Sequence, residues 1–321
     1  VYLFKILNAK ARKKQKTIIL PESYDKRVIE AAKIILKKQT AKVILIRNKK
    51  DVPIGDQAGL DIIDIDFAKQ FVNEYYSLRR KKDKKISIKH AEAELEDPLL
   101  FSNMLLRNNF ADAIVAGSVY STGSVLRSAI RTIGLSKNNK TVSSFFLFTF
   151  PKGHKLHDRV LAYADCGVLP HPTAEQLADI ALSTSANYKK LTGFSPRTAF
   201  LSFSTKGSAN SDSVERVIKA FKITKKRNPN LICDGEVQFD TAFVPEVAGR
   251  KDDKGRLKGR ANVFIFPDLN SGNIAYKITE RIGGGIATGP IVQGLAKPVM
   301  DLSRGCSSSD IVNMVTIASL M

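Results

Sequence analysis

Short apolar runs alternate with stretches of helical periodicity along the chain, and no other feature restricts the fold as much. "KTIIL" (16–20) stops at Pro21; Val28, Ala31, Ala32, Ile35 and Leu36 then recur at helical spacing behind Asp25, a capping residue. "AKVILIR" (41–47) reads as a second strand. Further strands are predicted at "ADAIVAG" (111–117), "VSSFFLFTF" (142–150), "VLAYAD" (160–165), "RTAFLSFS" (197–204), "NLICDG" (230–235), "ANVFIFPD" (261–268) and "GIATGPIV" (285–292). Helical patterns lie between most of them, notably at 173–191, 211–222, 271–282 and 307–320. Strand and helix in alternation predict an α/β fold whose mainly parallel sheets are covered by helices on both faces. The segment "FTFPKGHKLHDR" (148–159) reads as an antiparallel connection rather than a linker.

With 321 residues, 43% hydrophobic and 26% charged, the chain is long enough for two packed domains. No apolar run approaches the roughly eighteen residues of a membrane span. The opening "VYLFKILNAKARKKQK" puts an apolar patch before a basic run, the reverse of a signal peptide. Cys166, Cys233 and Cys306 are odd in number and far apart, which suits a reducing cytoplasm better than a disulfide framework or a paired-cysteine zinc site. His154 and His157 in "GHKLH" read as a solvated turn, so no metal is expected. The net charge is +20, with basic runs at "ARKKQK" (11–16), "RRKKDKK" (79–85) and "TKKRN" (224–228). Such runs are either solvated surface or a field that gathers a small polyanion. No nucleic-acid motif accompanies them, so neither nucleic acid nor membrane is expected as a partner.

Ligands of parallel α/β folds sit beyond the carboxyl ends of the strands, where loops enter helices. Here those loops are alike: "GSVYSTGS" (117–124), "STKGSANSDS" (204–213), "DGEVQFD" (234–240) and "PDLNSGN" (267–273). Gly, Ser and Asn let the backbone approach a ligand and aim N–H groups at phosphate oxygens, although they also make ordinary caps and turns. Ser121, Thr122, Ser204 and Thr205 are the hydroxyl candidates. None of the loops is a P-loop or a complete GxGxxG fingerprint. Near the end, "MDLSRGCSSSDI" (300–311) sets Arg304 between a Ser and a Gly and places Asp310 three residues after Ser307. That spacing fits a helix capping box as well as an anion site.

Ordered blocks along the chain carry a resemblance: "ILPESYDKRVIEAA" (19–32), "GSVYSTGSVLRSAIR" (117–131), "TVSSFF" (141–146), "ADCGVLPHPTAEQLADIA" (164–181), "FSTKGSA" (203–209), "DGEVQFD" (234–240), "FPDLNSGNIAYK" (266–277) and "TGPIVQGLAKPVMDLSRGCSSSDI" (288–311). The chain resembles the bacterial phosphate acetyltransferases (phosphotransacetylases) of the short form, without an N-terminal regulatory extension. The resemblance implies two three-layer α/β domains with an active cleft between them, 1–138 plus 294–321 and 139–293, and a homodimer. It implies reversible transfer of acetyl between acetyl phosphate and coenzyme A, releasing or consuming inorganic phosphate. Coenzyme A is then a substrate, and no tightly bound cofactor is expected. A phosphate butyryltransferase and a non-catalytic acyl-CoA-sensing domain are the alternatives.

By the same resemblance Asp310 is the base, Ser303 the hydroxyl that orients the thiol, and Arg304 the cation facing acetyl phosphate. An Arg suits that place because its planar fork stays charged and matches phosphate oxygens. Arg79 and Arg127 match the arginines that bind coenzyme A phosphates or acetyl phosphate, joined by Ser121, Thr122, Ser204 and Thr205 as coenzyme contacts. Arg80, next to Arg79, leaves the register of that block open by one. Two departures stand out: Met300 replaces the usual Asn, and "VLPHP" (168–172) replaces an Asn-Pro pairing. Cys306 lies two residues from Arg304, and a thiol beside a cation and a helix start would have a lowered pKa, the property of a covalent nucleophile; the resemblance instead favours direct attack by the coenzyme thiol, with Cys306 merely filling a small buried space.

Overall fold

"TIIL", the strand Thr17–Leu20 (β1), has three of its four residues buried, as a strand must when helices cover both faces of its sheet. The computed structural model describes residues 2–48, 59–81, 83–137 and 139–321. In chain order the elements are α1 (Tyr2–Lys14), β1, α2 (Lys26–Lys38), β2 (Lys42–Arg47), β3 (Asp61–Asp64), α3 (Val72–Arg80), α4 (Ile88–Glu94), α5 (Pro98–Arg107), β4 (Ala113–Ala116) and α6 (Thr122–Thr132). Next come β5 (Ser143–Thr149), β6 (Leu161–Ala164), α7 (Ala174–Thr192), β7 (Arg197–Leu201), α8 (Asp212–Arg227), β8 (Ile232–Val237) and α9 (Phe239–Phe243). The chain closes with α10 (Pro245–Lys251), β9 (Val263–Ile265), α11 (Leu269–Arg281), β10 (Ile286–Gln293), β11 (Val299–Asp301) and α12 (Ser308–Ala318). A turn of 3-10 helix, Ile65–Phe71, precedes α3.

Two compact units result, Tyr2–Lys137 with Leu295–Met321, and Asn138–Gly294. The first holds a five-stranded sheet in the order β11-β4-β1-β2-β3, parallel throughout. One face packs against α5, whose Phe101, Met104 and Leu105 join Ile19, Ile44 and Ile114 in a single apolar cluster. Helix α12 packs on α2 and β4. The second unit holds a six-stranded sheet in the order β10-β5-β6-β9-β7-β8. Its β6, β9, β7 and β8 run parallel, whereas β5 pairs antiparallel with both β10 and β6, so residues 148–159 make the expected antiparallel connection. Phe148, Tyr163 and Phe264 pack ring against ring in its core.

Three elements add to the sequence reading. The opening apolar patch is helix α1, with Leu3, Leu7 and Ala11 buried at four-residue spacing. β3, "DIID", has charged ends and no fully buried residue, as an edge strand allows. β11 has only three residues, too short to show a period.

One glycine joins the two strand ends that matter most. Gly117 follows β4 with φ +110°, and a Cβ on it would stand 2.6 Å from Asp301 Oδ1 and 2.7 Å from the Leu302 nitrogen. Only a residue without a side chain lets the loop after β4 lie against the turn after β11.

Candidate active site

β11 ends at Asp301 and the chain turns through 302–307 before α12 begins. Leu302 N–H donates to the Ala116 carbonyl at 2.8 Å, so the turn leaves the sheet beside the end of β4. Ser303 and Arg304 are exposed on this turn, and Asp310 is exposed one turn into α12. Cys306 N–H bonds back to the Ser303 carbonyl at 2.9 Å, which closes the turn. The Arg304 side chain has no partner among the described residues. Asp310 forms the capping box that the spacing allowed. Its Oδ2 accepts from Ser307 N–H and Ser307 Oγ, both at 2.8 Å, and its own N–H donates to Ser307 Oγ at 3.2 Å. Capping uses only Oδ2, and Oδ1 has no partner among the described residues.

Arg27 holds the turn in place. Its Nη1 donates to the carbonyls of Arg304 and Cys306, both at 2.8 Å, and its Nη2 to the Ser118 carbonyl at 2.9 Å. Asp25, which caps α2, pairs with the same guanidinium at 2.6 Å. Burial pushes the Asp25 carboxyl up, but the hydrogen bonds from Arg27 outweigh that and hold it below its usual range. The Asp25–Arg27 pair thereby ties α2, the loop after β4 and the Ser-Arg turn together.

The loop after β4 is held from beneath by Glu22, which is fully buried. Its carboxylate accepts from the N–H groups of Gly117, Ser118, Val119 and Tyr120 at 2.7–3.0 Å, and from Ser118 Oγ at 2.9 Å. These are N–H groups that the sequence reading aimed at a ligand anion. A buried carboxylate needs several donors, and this loop supplies them. The other three loops behave alike. Buried Glu236 accepts from Gly207 N–H and Ser204 Oγ, Asp234 from Gly235 and Arg256 N–H, and Asp268 from Ser271 N–H as it caps α11. Thus many of the chain's phosphate-like N–H cradles already contain carboxylates of its own.

The hydroxyl candidates are similarly engaged. Ser121 caps α6, accepting from Ser124 N–H at 3.2 Å, and Thr122 Oγ1 donates to Asp301 Oδ2 at 2.6 Å. Ser204 and Thr205 belong to the other unit and are buried. Ser204 bonds Glu236, and Thr205 Oγ1 accepts from Gln238 N–H at 2.9 Å. Asp301 is buried, and its Oδ1 has no partner among the described residues. Burial pushes its carboxyl up to about 6; the Thr122 hydrogen bond acts against that, and nearby Glu22 adds to it.

Helix α6 carries the site away from the turn. Arg127 lies exposed five residues after Thr122, its Nη1 folded over Gly123, where a Cβ would stand 3.3 Å away. It lines a cavity of about 300 Å³ with Glu94, Asp97, Leu99, Ser124 and Arg131. Arg79 reaches the wall of this cavity through a two-pronged pair with Glu94, at 3.1 and 3.2 Å. Arg80 instead lies 5.7 Å from the Tyr76 ring. Of the two, Arg79 is the one tied to a cavity-lining residue. Lys82 of the same basic run lies outside the described residues.

The structure thus places Ser303 and Arg304 on the turn after β11 and Asp310 in the first turn of α12, and links Thr122 to Asp301 at the end of β11. Arg127 lines a cavity in the same unit, and Arg79 pairs with Glu94 on its wall. Glu22, Arg27, Asp301, Glu94 and Arg131 escaped the sequence reading. Glu22 stands two residues after strand β1, where a charge so close to a buried strand end was the available signal, and Arg27 lies in the first turn of α2 behind the Asp25 cap. Cys306 is buried, as the direct-attack reading expects, and desolvation pushes its thiol up to about 11, against the smaller opposing effect of Arg27. No cluster of metal-ligating side chains occurs among the described residues.

Residues 2–319 match the family described as phosphate acetyl/butaryl transferase. The phosphate acetyltransferase of Acetivibrio thermocellus is 44% identical over 318 residues, covering 97% of this chain and 95% of that protein. That of Clostridium acetobutylicum is 40% identical over 316 residues, 96% of this chain and 94% of that protein. A phosphotransacetylase crystal structure from Streptococcus pyogenes superposes with a TM-score of 0.92 at 36% identity, covering 99% of this chain and 97% of that one. With a site of this composition and matches of this extent, the chain belongs to the phosphate acetyl/butaryl transferase family.

Proposed function

We propose that the chain is a phosphate acetyltransferase that moves an acetyl group between acetyl phosphate and coenzyme A by direct attack of the thiol. The observation that carries this is the Ser-Arg turn: an unpaired Arg304, an exposed hydroxyl and a carboxylate with a spare oxygen, on a backbone pinned by Arg27. In the forward direction the coenzyme sulfur attacks the acetyl carbonyl carbon. A C–S bond forms, the C–O bond to phosphorus breaks, and phosphate departs with the electron pair. A thiol of pKa about 8.5 must lose its proton first, and Asp310 Oδ1 accepts it. Ser303 orients the sulfur, and Arg304 offsets the charge that grows on the carbonyl and phosphate oxygens.

Coenzyme A carries its thiol at the end of a long arm, far from its phosphate-bearing nucleotide. The layout of α6 accommodates this. Thr122 adjoins the turn, while Arg127 lies about 8 Å further along the helix axis at 1.5 Å per residue. Ser121, Thr122, Ser204 and Thr205 are weaker coenzyme contacts, because their hydroxyls already have partners. We further place the enzyme in the cytoplasm, on the strength of three buried free cysteines, and read it as a homodimer, on an isoleucine stripe described below. No helix among the described residues is long and apolar enough to cross a membrane.

Thiol consumption by coenzyme A with acetyl phosphate, run against butyryl phosphate, tests the reading. Faster turnover of acetyl phosphate is expected. Preference for butyryl phosphate would make the chain a butyryltransferase, and coenzyme binding without turnover of either would make it a sensor.

A further inference from the structure

Asp301 has no part in the scheme above, yet it sits at the root of the turn that carries Ser303 and Arg304. It is the last residue of β11, pairs in register with Ala116 at the end of β4, and is 1% exposed. Its Oδ2 accepts from Thr122 Oγ1 at 2.6 Å, and its Oδ1 has no partner among the described residues. Gly117 lies over that oxygen, so closely that a Cβ there would stand 2.6 Å from it. Covered in this way, Asp301 does not touch a substrate and acts only through its neighbours.

A buried carboxylate destabilises a fold, and more so with one oxygen unmet. Nearby Glu22 adds like charge. The strand itself does not call for an ion, since Val299 and Met300, the other residues of β11, are apolar and fully buried. The hydrogen bonds around the turn show what the carboxylate adds. Arg27 grips the Arg304 and Cys306 carbonyls and ties them to the loop after β4 through the Ser118 carbonyl. Leu302 N–H reaches the Ala116 carbonyl on β4. None of these bonds is made to α6. The bond from Thr122, the first residue of α6, is the one hydrogen bond among the described residues between that helix and residues 299–307. It is short and made to a carboxylate, the stronger kind of hydrogen bond.

Resting on the acetyl-transfer reading, we infer that Asp301 is a positioning residue: through Thr122 it fixes the start of α6, along which the coenzyme is laid, against the turn that presents Ser303 and Arg304 to the acetyl group. The coenzyme sulfur has to meet the carbonyl carbon with both elements in register, and a misplacement of about 1 Å is enough to lower a rate about 10²-fold. A threonine suits the helix end because its branched side chain has few rotamers, so its hydroxyl is held in place. Thr122 then serves the reaction mainly through Asp301.

Thr122→Val removes the hydroxyl and keeps the branched shape. With coenzyme A and acetyl phosphate its kcat should fall about ten- to a hundredfold while KM for coenzyme A stays within about twofold, and Thr122→Ser should restore most of kcat. Asp301→Ala should lose kcat by a similar factor, and the double variant should lose no more than the worse single one, since both changes remove one bond. Three outcomes overturn the inference: a rise in KM at unchanged kcat, which would make Thr122 a coenzyme contact; unchanged kcat and KM in a Thr122→Val protein that melts cooperatively; or losses that multiply in the double variant. If the wild type turns over neither acetyl nor butyryl phosphate, the proposed activity fails separately, and hydrogen exchange decides. The Cys306 amide, which closes the turn on the Ser303 carbonyl, should then exchange faster in Thr122→Val than in wild type, and equal protection sinks the positioning role.

Discussion

Cys306 shows how burial sets the chemistry of a single residue. Beside Arg27 and a helix start it has the neighbours of an activated thiol, yet desolvation wins and its pKa rises to about 11. Burial thus disfavours the thiolate that a ping-pong mechanism would start from. Cys306→Ala should keep most activity, whereas Asp310→Asn should lose about 10²–10⁴-fold in kcat, the range for removing a general base. Initial rates with both substrates varied should give intersecting lines; parallel lines with an inactive but folded Cys306→Ala would reverse the assignment. Asp301 makes the second residue-scale prediction. Its carboxyl is pushed up from 3.8 to about 6 by burial, so between those values the folded state binds more protons than the unfolded one. Its contribution to stability is therefore complete below about pH 4 and is lost as pH rises through about 6. The full difference is roughly 3 kcal/mol. Chemical denaturation of wild type and Asp301→Asn across pH 4–7 should show the wild type losing ground as pH rises; a constant gap would contradict the shift.

At the scale of elements, the chain supplies its own anion, Glu22, to the loop after β4 and its own cation, Arg27, to the turn after β11. Glu22 answers four backbone N–H groups, and Glu22→Gln would leave one acceptor oxygen where two stood and face an NH₂ toward N–H donors. The variant should lose about 3 kcal/mol or more in urea unfolding, from two or more unmet buried donors. A loss below 1 kcal/mol would mean that the loop re-pairs with water. This support was the least legible part of the sequence. Apolar runs such as "AIVA" and the "FFLF" of β5 announced themselves, because a strand buried on both faces has few polar positions to blur it. The motif "SRGCSSSD" was also legible, since its residues are neighbours in the chain. Which carboxylate fills which loop was not, because Glu22 and Gly117 are 95 residues apart and meet only through the parallel pairing of β1 and β4. The same holds for Arg131 and Glu94, which sit on different helices. Composition alone pointed the Gly-Ser loops toward outside anions, when their N–H groups had buried partners.

At the scale of the molecule, a charge of +20 should speed capture of coenzyme A at low ionic strength. The second-order rate constant should fall as salt rises from 10 to 150 mM, since the Debye length shrinks from about 30 Å to about 8 Å. A flat response would reduce the charge to a feature of the surface alone. The apolar surface makes the last prediction. On α11, Ile274, Ile278 and Ile282 are 57%, 52% and 83% exposed at four-residue spacing, so they line one face of the helix end. Ile286 follows on β10, an edge strand of the six-stranded sheet, and is 44% exposed. Four exposed isoleucines so close together along the chain make a candidate contact face rather than scattered surface residues. A twofold pairing of this face with a second copy would bury each isoleucine twice over, and full burial of one such side chain is worth about 1.5–3 kcal/mol. Ile278 sits in the middle, where an aspartate would be desolvated in both copies at once. Light scattering behind size exclusion should therefore find wild type at twice the chain mass of 35.4 kDa and Ile278→Asp at the single mass, with both melting cooperatively. A dimer that survives Ile278→Asp would place the interface elsewhere, and a monomeric wild type at micromolar concentration would leave the stripe without a second copy to cover it.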